Sequence, residues 1–164
     1  MKLGFSIYAD ILFSNCLSES ESQWAVNFKT SYEILDFLKS LGFTAIEVKL
    51  PTSWPLSNLK AVLDKISAAG FSFTFHAPGG LKYPPEMTDF LENISEISML
   101  VQSTFHQKTS FVVHGLSCYH VSKSETMSRT IRFFQELLEF TESLNVEYAV
   151  ELLRDVPLNG KVRG

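Results

Sequence analysis

The sequence predicts an α/β fold made of parallel (β/α) repeats. Two hydrophobic periods alternate along the chain, with five segments of strand period separated by four segments of helix period. Neither a linker nor a low-complexity stretch interrupts this order. Strands that alternate with helices form parallel sheets through right-handed crossovers, and the helices cover the sheet. We therefore expect a single (β/α) domain over residues 1–164.

The first unit of this pattern is a strand, a polar loop and a helix. Residues 3–8 alternate like a strand, and a loop rich in Ser and Glu follows them through Gln23. The next helix begins at Thr30, whose hydroxyl is expected to cap it while Glu33 reaches back to the amide of the cap residue. Gly42 is expected to end this helix. The predicted buried stripe of the helix contains Ile34, Leu35, Leu38 and Leu41.

The same unit then recurs along the rest of the chain. The four further strands are predicted at residues 43–50, 71–76, 110–114 and 147–152. The three helices between them are predicted from Leu59 to Gly70 and at about residues 85–105 and 124–144. The last of these helices is expected to bury Ile131, Phe134, Leu138 and Phe140 or their neighbours. After the fifth strand we expect turns at Pro157 and at Asn159 and no further periodic element.

Two architectures share this order of elements. One is an open, doubly wound five-stranded sheet, for which the length of 164 residues is comfortable. The other is a partial TIM barrel with about five of its eight strands. A closed barrel of this kind needs about 250 residues.

Composition and charge exclude several classes of protein. The chain has 14 Lys and Arg against 18 Asp and Glu, a net charge of −4 and an isoelectric point near 5.6. This acidity argues against binding to nucleic acid or to an anionic membrane surface. Fourteen Phe residues provide a core and exclude disorder. No apolar run is long enough to span a membrane, and the two Cys lack metal or redox spacing, so we expect a cytoplasmic protein.

Four residues with the chemistry of a site recur at one structural position. Glu47, His76, His114 and Glu151 each lie in the carboxyl-terminal half of a predicted strand. In parallel α/β proteins these strand ends converge on the face where ligands bind. Two imidazoles and two carboxylates suit a divalent metal ion or proton transfer. The alternatives are that the histidines are ordinary buried groups and that Glu47 pairs with Lys49 on the same strand face.

Other residues are candidates for substrate binding. Trp24 and Trp54 follow the first and second strands and either stack on a sugar ring or pack within their loops. Arg154 lies just beyond the fifth strand and can bind an anionic substrate group. Neither a nucleophile elbow nor a dinucleotide-binding fingerprint is present.

Four short motifs resemble those of one superfamily. They are LGFTAIE at residues 41–47, FHAP at 75–78, VVHG at 112–115 and VE at 150–151. In this order they resemble the xylose isomerase-like TIM barrel superfamily. That superfamily includes sugar-phosphate isomerases and epimerases and also the abasic-site nucleases of the endonuclease-four type (AP endonuclease family 2). The resemblance runs from the first strand through the fifth.

The resemblance implies roles for the recurring residues. In the nuclease branch, the residues that match His76 and His114 are zinc ligands and the glutamate that matches Glu151 bridges metals. In the isomerase and epimerase branch, Glu151 would bind the single metal ion and act as acid and base, with Glu47 near the substrate. The implied function is isomerisation or epimerisation of a sugar or sugar phosphate by metal-assisted proton abstraction next to a carbonyl. The implied cofactor is a divalent metal ion: Mn, Zn, Mg or Co.

The chain also departs from the family pattern. The remaining ligands of the family come from the sixth to eighth strands, beyond the five predicted here, and Leu152 stands where many members have Asn. We therefore expect an incomplete site, which leaves open whether the chain is an enzyme. Two unpaired sheet edges and an uncovered inner face further predict either a truncated gene product or a homo-oligomer that covers the edges.

Two other functions stay open. One is a non-catalytic truncated barrel or assembly module. The other is a zinc-dependent abasic-site endonuclease, against which the net charge of −4 argues.

Overall fold

Parallel strands alternate with helices, as the sequence predicts. The computed structural model describes residues 3–14, 24–50, 54–77, 87–116, 121–151, 157–158 and 161–162. Three parallel strands lie in the first half of the chain and two in the second, with helices between successive strands, so the α/β class is confirmed. The chain divides into two compact units, Met1–His76 and Ala77–Gly164.

The described residues of the first unit contain three parallel strands and three helices. Its strands are β1 (Gly4–Tyr8), β2 (Ala45–Lys49) and β3 (Ser72–His76). Its helices are α1 (Ala9–Phe13), α2 (Ser31–Ser40) and α3 (Leu56–Ala68), with a 3-10 turn at Ala25–Asn27. β2 pairs with both β1 and β3, and α3 packs against β3 and α1. Helix α1 was not predicted, because it begins directly after β1 where the sequence indicated a polar loop.

The two faces of this sheet differ in chemistry. Side chains alternate between the faces along each strand. One face is the apolar core of the unit and includes Ile7, Ile46, Val48 and Phe75, all buried. The opposite face is polar and at least partly exposed, and it carries Ser6, Tyr8, Glu47, Lys49, Thr74 and His76. The polar face therefore gathers the candidate residues of the first unit.

The ends of α2 follow the predicted capping residues with two differences. Thr30 caps the helix, since its hydroxyl accepts a hydrogen bond from the Glu33 amide at 3.3 Å. The Glu33 carboxylate accepts from the amide of Lys29 at 2.7 Å, one residue before the predicted partner. Gly42 has the expected left-handed conformation, with φ of 86°. Leu41 was predicted to be buried but is 54% exposed, because it lies beyond the last helical residue, where the chain turns away from the core.

The part of the second unit that the structure describes has two parallel strands and two long helices. Strand β4 (Thr109–His114) pairs with β5 (Val146–Glu151), and helices α4 (Met87–Phe105) and α5 (Lys123–Thr141) pack against each other. Two further short strands, β6 (Pro157–Leu158) and β7 (Lys161–Val162), pair antiparallel. This hairpin was not predicted, since two-residue strands have no detectable period. Among the described residues, no helix has the length and apolarity needed to cross a bilayer.

Helix α5 presents a different stripe to the core from the four residues named from the sequence. Its buried residues are Phe133, Leu137 and Thr141, which are neighbours of the predicted set. Phe133 packs on Phe90 of α4 with ring centres 5.6 Å apart. Ile131, Leu138 and Phe140 are exposed, and Phe134 is half-buried. The helix carries two apolar stripes, and periodicity alone did not distinguish the one that packs from the one that does not.

Candidate functional site

The first unit joins three polar side chains from three adjacent strands. Ser6 on β1 lies opposite Glu47 on β2, and its hydroxyl donates a hydrogen bond to Glu47 Oε1 at 2.7 Å. His76 on β3 lies two residues beyond Thr74, the register partner of Glu47, and its Nδ1 is 2.9 Å from the same Oε1. Parallel pairing of the three strands therefore brings a hydroxyl, a carboxylate and an imidazole into one hydrogen-bonded row.

The protonation of this row follows from its donors and acceptors. An ionised carboxylate only accepts hydrogen bonds, so a hydrogen bond between Glu47 and His76 requires a proton on Nδ1 of the imidazole. The side chains of His76 and Glu47 are 19% and 27% exposed, so water screens their contact only in part. The contact is consequently stronger than an equivalent pair on an open surface.

Lys49, the alternative partner of Glu47, contacts a different side chain. The sequence left open that Lys49 pairs with Glu47, because the two residues share a strand face. The Lys49 ammonium group instead lies over the ring of Tyr8, 5.3 Å from the ring centre. Tyr8 is the register partner of Lys49 on β1, so the two side chains stand side by side. The Glu47 carboxylate contacts Ser6 and His76.

The second unit holds the other two recurring residues at the ends of its strands. His114 and Glu151 are register partners, and His114 Nε2 lies 3.5 Å from Glu151 Oε2. This separation is long for a hydrogen bond between nitrogen and oxygen. The side chain of His114 is 9% exposed, whereas that of Glu151 is 50% exposed. The imidazole is thus held by the fold while the carboxylate reaches solvent.

The separation of 3.5 Å fits two ligands of one metal ion. Zinc binds imidazole nitrogen and carboxylate oxygen at about 2.0–2.2 Å, usually with tetrahedral geometry, which sets neighbouring ligand atoms about 3.3–3.5 Å apart. His114 Nε2 and Glu151 Oε2 are separated by a similar distance. An imidazole and a carboxylate are also ligand types that Zn, Mn and Co accept. The donor pair in the second unit therefore fits a divalent metal ion.

A second carboxylate on the same face of the second unit has a different environment. Glu147 lies opposite Ser110, whose hydroxyl donates a hydrogen bond to Glu147 Oε1. Lys108 Nζ lies 3.2 Å from the other carboxylate oxygen. The Ser110 hydrogen bond first, and then Lys108, lower the pKa of Glu147 below its ordinary value. Ser6, Ser110 and Lys108 were not singled out from the sequence, because only the strand register identifies them as partners.

The two tryptophans pack on aromatic neighbours. Trp24 contacts Phe5 and Phe28, with ring centres 5.9 and 6.2 Å apart. Phe5 lies in the first half of β1 and alternates with Ser6, so its side chain is on the face opposite Glu47. Trp54 contacts Phe13 at the end of α1, with ring centres 5.6 Å apart. Packing was the alternative that the sequence left open for both residues, and their role in sugar binding stays a prediction.

Other residues named from the sequence lie outside the described part of the chain. Arg154, Leu152 and the turn at Asn159 are in this group, and so are both cysteines. His106 is described and is exposed at the end of α4. The roles proposed for Arg154 stay predictions.

No protein-family model matches the chain, and no curated protein matches it. The resemblance to the xylose isomerase-like superfamily therefore stays a prediction that depends on the four sequence motifs.

Proposed function

We propose that the chain binds a divalent metal ion through His114 and Glu151, with His76 as the third ligand that the family resemblance implies, and that this site promotes proton transfer next to the carbonyl of a sugar or sugar phosphate. One observation carries the proposal. His114 Nε2 and Glu151 Oε2 are separated by 3.5 Å, a distance that suits two ligands of one ion better than a hydrogen bond.

One observation supports His76 as the third donor. His76 ends β3 just as His114 and Glu151 end β4 and β5, so all three have the same place in successive strand–helix units. Each of the three side chains offers one donor atom of a type that binds Zn, Mn or Co.

The chemistry divides between the ion and the side chains. Held by these residues, a divalent ion would supply Lewis-acid polarisation of the substrate carbonyl, which would acidify the neighbouring C–H bond. Glu151 is the candidate acid and base, because its half-exposed carboxylate can take a proton from that carbon and return it. The nearly buried His114 fixes the position of the donor set. The net charge of −4 favours a small-molecule substrate over nucleic acid.

Solvent deuterium exchange tests the proposed reaction. Ketoses and their phosphates are incubated with the full chain and Mn²⁺ or Zn²⁺ in D₂O, and NMR follows loss of the C–H signal next to the carbonyl. We expect metal-dependent exchange that Glu151→Gln abolishes. Glu147→Gln is the matched control, since Glu147 lies on the same strand and face, and it should leave exchange unchanged. Exchange that persists in Glu151→Gln would contradict the assigned role, and absence of exchange in the wild type would remove the catalytic part of the proposal.

A second candidate function is assembly, which one observation favours. Helix α5 exposes Met127, Ile131 and Leu138, and β5 exposes Val150. The three helix residues are spaced to share one side of α5, and soluble monomers rarely expose a large contiguous apolar patch. We propose that a second copy of the chain covers this stripe, which would make the protein a homo-oligomer.

Light scattering over a range of concentrations tests the assembly. We expect a dimer or larger species that Ile131→Lys dissociates. Met99→Lys is the control, because Met99 is equally exposed on α4 but is not part of the stripe. A wild-type monomer at all concentrations would exclude the assembly.

A further inference from the structure

We infer that Glu47 is a positioning residue that acts through His76 rather than a group that contacts the substrate. Its carboxylate holds His76 in the tautomer that carries the proton on Nδ1. The lone pair of the imidazole is then on Nε2, the nitrogen that is offered to the metal ion. The resemblance places Glu47 near the substrate, so this is a different role for the same residue.

The hydrogen-bond geometry gives the direction of the effect. His76 Nδ1 lies 2.9 Å from Glu47 Oε1, within the range of a charge-assisted hydrogen bond. A neutral imidazole has one N–H and one lone pair, and the partner of the N–H decides which nitrogen carries which. Metal-binding histidines commonly donate their other N–H to a carboxylate, which fixes the ring and makes the ligand nitrogen more basic.

Ser6 orients the carboxylate of Glu47, which in turn orients the imidazole of His76. Its hydroxyl donates to the same Oε1 atom of Glu47 at 2.7 Å. Two donors on one oxygen restrict the rotation of the carboxylate and keep that oxygen directed at His76. The hydroxyl is supplied by the register of β1 against β2, in which Ser6 stands opposite Glu47. Removing the hydroxyl is therefore expected to loosen the tautomer preference without abolishing it.

The inference has two parts that can fail separately. The contact of His76 with Glu47 lies within Met1–His76, and the tautomer of His76 can be measured in the metal-free protein. The consequence for metal affinity rests on the proposed function. An experiment that reads both quantities separates a wrong positioning role from a wrong metal site.

The tautomer is measured by long-range ¹H–¹⁵N correlation NMR of the imidazole rings in the full, metal-free chain at mildly alkaline pH. We expect the Nδ1–H pattern for His76 in the wild type and a shift towards the Nε2–H pattern in Glu47→Ala. Glu47→Gln should restore the Nδ1–H pattern, because the amide oxygen of Gln accepts the same hydrogen bond. Glu147→Ala is the control: it removes a carboxylate from the equivalent contact with Ser110 and should leave His76 unchanged.

Two results would overturn the positioning role. They are an Nε2–H pattern for His76 in the wild type and an unchanged pattern in Glu47→Ala. If Glu47→Ala does not fold, Ser6→Ala replaces it, with a partial shift towards Nε2–H as the expected result and no shift as the contradicting one.

Zinc titration by calorimetry on the same samples gives the second readout. We expect Glu47→Ala to weaken zinc binding by about 10- to 100-fold, the usual effect of losing the carboxylate partner of a metal-binding histidine. Glu47→Gln should recover much of that loss. A shifted tautomer with unchanged zinc affinity would support the positioning role and remove His76 from the proposed metal site.

Discussion

The polar sheet faces of the two units contain the same cross-strand pair in different surroundings. Ser6 lies opposite Glu47 in the first unit, and Ser110 lies opposite Glu147 in the second. In the first unit the pair is joined by the imidazole of His76, and in the second by the ammonium group of Lys108. The serine and glutamate alone therefore do not define a site. The third partner decides whether the carboxylate orients an imidazole or makes a surface ion pair.

The apolar faces of the two units differ as well. Val48 on β2 is buried, because β2 pairs on both sides and lies over the core of the first unit. Val150 on β5 occupies the equivalent penultimate position of its strand but is 51% exposed. The first unit thus completes its apolar layer, whereas the second leaves part of the layer in contact with water. The same side chain is expected to contribute differently to stability in the two places.

The largest expected difference in stability is between two valine-to-alanine substitutions, one in each unit. Val48→Ala should lower the free energy of unfolding by about 2–3 kcal/mol, because it removes buried methyl groups and leaves a cavity. Val150→Ala should change it by less than about 0.5 kcal/mol, since the side chain is already half in water. Urea denaturation followed by circular dichroism measures both. Equal losses would contradict the difference between the two apolar faces.

A smaller loss of stability is expected when the contact between α3 and α1 is removed. Lys65 on α3 donates to the carbonyl of Leu12 at 2.9 Å and to the hydroxyl of Ser31 at 3.2 Å. Burial lowers the pKa of this lysine. Lys65→Met should cost about 1 kcal/mol, because the carbonyl at the end of α1 loses its donor.

The control for Lys65 is another lysine on the same helix. Lys60 forms an exposed ion pair with Asp64, so Lys60→Met should cost less than about 0.5 kcal/mol. Urea denaturation of the two variants measures the difference. A Lys65→Met variant as stable as Lys60→Met would mean that the contact with α1 contributes nothing.

The smallest effect concerns the pH dependence of the surface pair in the second unit. Because Ser110 and Lys108 lower the pKa of Glu147 in the folded chain, this contact stabilises the fold above the ordinary pKa of about 4.5. That contribution is lost as the pH falls through the folded value. Glu147→Gln should therefore lose slightly less stability than the wild type between neutral pH and about pH 3. If the urea midpoints of the wild type and Glu147→Gln change equally with pH, the contact of Glu147 with Ser110 and Lys108 does not stabilise the fold in solution.

Local sequence signals predicted much of the fold but not the contacts between strands. Alternating apolar residues gave the strands, and Thr30 and Gly42 gave the ends of α2 because their capping chemistry is local. The sequence could not choose between the two apolar stripes of α5, since the choice depends on packing against Phe90. The sequence also did not predict α1, whose Leu12 carbonyl accepts a hydrogen bond from Lys65, more than fifty residues away along the chain.

The candidate site was likewise predictable only in part. The recurrence of Glu47, His76, His114 and Glu151 at strand ends is visible in the sequence because each residue follows an apolar strand. The contact of Ser6 with Glu47 is not, because it requires the register of β1 against β2. For Trp24 the sequence left stacking on a sugar and packing both open, and its contact with Phe5 depends on how the loop folds back on β1.

Cobalt titration of the full chain, followed by visible absorption, tests the metal site most directly. The site predicts one equivalent of Co²⁺ with absorption bands of nitrogen and oxygen ligands in the wild type. His114→Ala should lose this spectrum, whereas His106→Ala should keep it, because His106 is exposed at the end of α4. A wild-type chain that binds no Co²⁺, or a His114→Ala variant that binds it equally well, would contradict the proposed metal site.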